Sequence, residues 1–83
     1  MSIKNESEMN MLIGKNIRKY RNVYNATIED MPQRELARLI GVSTPLIGAL
    51  ESRKCKQGVS IYNLYKISKV LNVPIEKFFE EEK

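Results

Sequence analysis

Apolar residues early in the chain fall at helical spacing. Ile13, Ile17, Tyr20 and Tyr24 are separated by four, three and four residues, which lines one face of a helix from Met11 to about Tyr24. The basic side chains of this stretch fall mostly off that face. Residues 1–10 are mostly polar and show no period, so they are expected to form a flexible N-terminal arm. The stretch Asn25-Ala26-Thr27-Ile28-Glu29-Asp30-Met31-Pro32 reads as a connection. A second helix is predicted from about Gln33 to Ile40, with Leu36, Ala37 and Ile40 turned inward.

Gly41 is expected to end that helix, because glycine enters the left-handed conformation at little steric cost. Ser43 suits the N-cap of a third helix, where its oxygen can accept an orphan backbone N–H. Pro45 fits the first turn, whose N–H groups have no partner within the helix. This helix is predicted to reach about Arg53, with Ile47 and Leu50 buried. After the loop Lys54–Val59, Ser60 caps a fourth helix through Leu71, with Ile61, Leu64, Ile67, Val70 and Leu71 as its apolar set. A last short helix begins at Pro74 and carries Ile75, Phe78 and Phe79. No stretch alternates strictly, so no strand is expected. The pattern predicts an all-α chain: five helices forming one compact bundle over residues 11–79, followed by an acidic tail at 80–83.

Composition narrows the chemistry. In 83 residues, 42% hydrophobic content is enough for one small core. Fourteen Lys and Arg oppose ten Asp and Glu, a formal charge of +4, which fits a polyanionic partner without requiring one. Lys15, Arg18, Lys19 and Arg21 form one basic cluster, and Arg53, Lys54 and Lys56 a second; either alone could be a solvated face. A single cysteine, Cys55, and the absence of histidine rule out an intrachain disulfide and leave no ligand set for zinc. No metal or cofactor is expected. With no histidine, no phosphate-binding glycine loop and no nucleophile beside a base, catalysis is not expected either. No apolar run has the length of a membrane span and the N-terminus lacks a signal peptide's apolar stretch, so a cytoplasmic protein is expected.

The informative segment is QRELARLIGVSTPLIGALES, residues 33–52. It reads as two short helices joined by a tight turn that starts with glycine. Ala37 falls where the helices would cross, and only a small side chain lets their backbones approach there. Val42 and Ile47 close the core between them, with Leu36, Ile40 and Leu50 around it.

With these residues in place, the chain resembles the Cro and phage-repressor helix-turn-helix family, also called the xenobiotic-response-element (XRE) family. The resemblance covers about residues 12–79 and is carried by Ile13-Gly14-Lys15-Asn16-Ile17-Arg18 with Arg21, by Gln33 to Ser43, by Ile47 with Leu50-Glu51, and by Leu64 to Val73 followed by Phe78-Phe79. It implies a lambda-repressor-like five-helix bundle that sets the third helix, about Thr44–Ser52, in the DNA major groove. Thr44, Pro45, Gly48 and Ala49 match positions that face base edges, and Gln33 matches a phosphate contact. Arg21 and Glu51 match a structural ion pair between the first helix and the recognition helix. Lys15, Arg18, Ser43, Arg53, Lys54 and Lys56 are the further phosphate contacts expected. Relative to the family, the connection between Arg21 and Gln33 is about five residues longer. Pro32 replaces the common Ser or Thr cap, which makes Asp30 the expected cap. Arg53 stands where a glycine is usual.

No Arg, Lys, Asn or Gln occurs from Ser43 to Ala49, so direct base readout by this helix alone should be modest. The leading expectation is a homodimeric regulator, acting as a repressor, on a two-fold-related operator. Ile75, Phe78 and Phe79 are the residues expected at its dimer interface. The alternative is a protein-binding module of the same fold, such as an antitoxin or adaptor. RNA binding ranks third, since aromatic stacking platforms are missing.

Overall fold

The computed structural model describes residues 2–52 and 58–81. Four α-helices run in the order α1 (Glu6–Thr27), α2 (Gln33–Ile40), α3 (Thr44–Glu51) and α4 (Ile61–Leu71), followed by a 3-10 helix, Ile75–Phe79. Among the described residues there is no strand. The expected fifth helix is therefore a 3-10 turn. Its carbonyls explain the difference. The Asn16 side-chain amide, buried in α1, donates to Phe78 O at 2.8 Å and to Glu80 O at 3.0 Å. These bonds satisfy end carbonyls that further α-helical turns would otherwise need, and five residues are too few to favour the wider helix.

α1 starts five residues before its predicted position, so residues 6–10 are helical rather than an arm. Asn5 caps it: its side chain accepts from the Glu8 N–H at 2.9 Å, while the Glu8 carboxylate accepts from the Lys4 N–H at 3.2 Å. Glu6 and Glu8 place negative charge where the helix dipole favours it. Met9 then extends the apolar face of Ile13 and Ile17 by one turn and packs against the core.

The long connection after α1 is anchored rather than loose. Met31 is 1% exposed, and its N–H donates to the Asn25 side-chain oxygen. Pro32 stands at the N-cap of α2, and its carbonyl accepts from Glu35 and Leu36 N–H at 3.0 and 3.2 Å; Asp30 does not cap it. Gly41 takes φ +77°, and its N–H and that of Val42 return to Ala37 O at 2.9 and 3.0 Å. Ser43 accepts from Leu46 N–H, and α3 ends at Glu51, short of Arg53. Ser60 accepts from Asn63 N–H to open α4, and Asn72, at φ 57°, closes it.

The core gathers Ile13 and Ile17 from α1, Met31, Leu36, Ala37 and Ile40, Ile47 from α3, Leu64, Ile67 and Leu71 from α4, and Phe78. Phe78 meets the Tyr20 ring edge-to-face at 5.4 Å. One predicted member is outside: Ile61, the first residue of α4, is 84% exposed. Phe78, expected at a dimer interface, is fully buried within the monomer. Ile75 packs partly against the core, and only Phe79 stays largely open, at 44% exposure.

Candidate nucleic-acid interface

α3 is held at a fixed distance from α1 by a glycine. A Cβ on Gly14 would stand 1.9 Å from Leu50 O, so the two backbones touch. Only glycine permits this approach, at the cost of weakening α1 locally. Two helical turns further on, Arg21 reaches the end of α3. Its Nε donates to Glu51 Oε2 at 2.7 Å and its Nη2 to Glu51 Oε1 at 2.8 Å, a bidentate contact. Its Nη1 donates to Met31 O at 3.0 Å, which ties in the connection before α2. Gln33 completes the network by donating from its side-chain amide to Glu51 Oε1 at 3.0 Å. Glu51 and Arg21 are 3% and 9% exposed, so the pair is buried and each charge has its partner.

This network fixes how α3 projects from the bundle. Its outward side carries Thr44 and Pro45, both exposed, and Gly48 and Ala49, both half-buried. Ser43 lies exposed at the head of the helix, with its oxygen engaged in the cap. At the other end of α3, Glu51 and Ser52 share an open cleft of about 510 Å³ with Met11, Leu12, Lys15, Arg18, Lys19 and Asn22 of α1. Positions 15, 18, 19 and 22 recur at helical spacing, so three cations and an amide lie on one stripe of α1 beside α3. Arg21 is not part of that stripe, since it points inward to Glu51. Gln33 is half-buried and points at Glu51 rather than straight out from α2. Arg53, Lys54 and Lys56 lie outside the described residues.

Several residues that build this surface have no assigned role in the sequence reading. Gly14, Asn16 and Met31 each hold α1 to another element. The signal for Asn16 was its place on the inward stripe, three residues after Ile13. The signal for the α1 start was Asn5 followed by Glu8, a capping pair. Lys66 donates from its ammonium to Ile40 O, placing a cation at the C-terminal end of α2, where the helix dipole favours it. On the exposed side of α2, Glu35 and Arg38 form a two-bond pair, and the Arg38 hydrogen bond lowers the Glu35 carboxyl from its ordinary value.

A family model described as Helix-turn-helix matches residues 17–78, and the chain belongs to that family, the Cro and phage-repressor (XRE) type of DNA-binding regulator. The matched span begins within α1 and ends at Phe78, so it contains the helix pair, the Arg21–Glu51 network and every core residue but Ile13. A search of curated proteins finds no matching relative. No described helix is long and apolar enough to cross a membrane.

Proposed function

We propose that this chain binds a specific double-stranded DNA site as a homodimeric transcription repressor in the cytoplasm, with α3 in the major groove. The observation that carries the reading is the flanking of α3. Its uncharged outward side, Thr44, Pro45, Gly48 and Ala49, has the α1 stripe of Lys15, Arg18 and Lys19 beside one end and Ser43 at the other. Uncharged groups suit base edges and thymine methyls; cations suit the strand backbone alongside. Arg53, Lys54 and Lys56 follow α3 in sequence and add three positive charges to the chain.

For the dimer, α4 offers the better face. Ile61, Tyr62 and Tyr65 are exposed at one side of it, and Tyr65 shares a shallow pocket with Ile75. Lys66 lies 4.4 Å from the Tyr62 ring centroid and Lys69 5.4 Å from that of Tyr65. Exposed aromatic residues grouped in this way are typical of contact surfaces. The reading replaces Phe78 with α4 residues and keeps Ile75 and Phe79.

One observation favours a second reading, a protein partner in place of DNA: the outward side of α3 is poor in hydrogen-bonding groups. Salt dependence separates the two. A dimer on duplex DNA should give a log–log slope on the order of −5 to −9, from several displaced counterions per subunit. A slope near zero in a gel-shift titration sinks the DNA reading.

A further inference from the structure

We propose that Gln33, from α2, reads an adenine in the major groove, through the gap that Gly48 leaves in α3. The inference rests on the DNA-binding reading above and names what that site recognises.

The recognition helix lacks the side chains that discriminate bases well, since no Arg, Lys, Asn or Gln lies between Ser43 and Ala49. Gly48 has no side chain at all, yet the space in front of it is occupied. Gln33 Oε1 stands 3.4 Å from where a Cβ on Gly48 would lie. The end of Gln33 thus takes the place of a side chain at position 48, on the stripe that also presents Thr44 and Pro45.

The orientation of the Gln33 amide is fixed by chemistry. Glu51 Oε1, 3.0 Å away, can only accept, so the nitrogen of the amide must face it. Glu51 is itself held by two bonds from Arg21, which leaves it little freedom to turn. One amide hydrogen goes to Glu51. The second hydrogen and Oε1 remain, a donor beside an acceptor. That pair matches adenine, whose N7 accepts and whose N6 amino group donates. Guanine presents two acceptors there, N7 and O6, and would set O6 against Oε1. A glutamine free to rotate could relieve that conflict in part; one pinned by Glu51 cannot.

A phosphate contact, the role the family resemblance gives Gln33, makes a different prediction, because phosphates carry no sequence information. The test is selection of bound duplexes from a random library by the wild type, Gln33→Ala and Gln33→Arg, with titration of a scrambled duplex at one fixed salt. The wild type should enrich adenine at one position of each half-site. Gln33→Ala should lose about tenfold of the preference for adenine over guanine at that position. Gln33 also holds Glu51, so any general loss of affinity should fall on matched and scrambled duplexes alike, while the preferences at the other positions are retained. Gln33→Arg, which puts donors where Oε1 was, should move the preference at the same position to guanine. The proposal is overturned if both variants keep the wild-type motif and bind all duplexes uniformly more weakly. If the wild type enriches nothing and does not retain the library at low salt, the DNA-binding reading itself fails.

Discussion

The two ends of α3 are held by different means. The C-terminal end is gripped from outside: Gly14 touches Leu50 O, and Arg21 and Gln33 converge on Glu51. The N-terminal end is held locally, by the left-handed turn at Gly41 and by Ser43 accepting from Leu46 N–H. Local devices set where a helix starts. They do not say which way it points, since they involve only neighbouring residues. The direction of α3 relative to α1 comes from the buried charge pair and the backbone contact. Placing a helix for contact with a partner needs both, and here the two tasks fall to opposite ends.

The comparison breaks most sharply at Glu51. Glu51→Ala would leave the Arg21 guanidinium buried without its counter-charge, which costs about 3–5 kcal/mol. That is a large share of the stability of a small domain. A urea melt should show the midpoint fall accordingly, and a variant as stable as the parent would mean the pair is not buried in solution. Gly14→Ala comes next. Its methyl would collide with Leu50 O, and forcing the helices apart costs about 1–3 kcal/mol, despite a gain of about 1 kcal/mol in helix propensity. The same melt reads the difference, and a net stabilisation would show that α1 and α3 do not touch. The smallest effect belongs to the other end: Ser43→Ala removes one cap and should cost about 1 kcal/mol. If Ser43→Ala proved as damaging as Glu51→Ala, the division of labour between the two ends would be wrong.

What the sequence made legible follows the same line. Gly41, Ser43 and Ser60 mark helix boundaries through chemistry that acts within a few residues, and each does so in the structure. The apolar sets of α2 and α3 were equally plain, because their spacing maps directly onto one face. The start of α1 was legible in principle from Asn5 and Glu8, but a polar, aperiodic stretch concealed it. Ile61 shows the limit of periodicity: it has the right spacing, yet nothing packs over the first residue of α4. The contact of Gly14 with Leu50 and the burial of Met31 depend on how distant segments meet, and no local pattern encodes that. The same holds for the 3-10 turn, which owes its form to an asparagine sixty-two residues earlier. At the site, Gln33 was expected to meet a phosphate, and its bond to Glu51 could not be foreseen from spacing alone.

The Asn16 clamp also bears on the order in which the domain can be completed. A ribosome makes α1 first, and Asn16 leaves it as a polar side chain destined for the interior. Its acceptors, Phe78 O and Glu80 O, are among the last groups of the fold to be synthesised. Until they emerge, the amide needs water, and the part of α1 around it has to stay wet. The helix pair can form earlier, since its own contacts are close in sequence. The finished core must wait for residue 80, so a nascent chain carries its α2–α3 helix pair before it has a closed body to hold it.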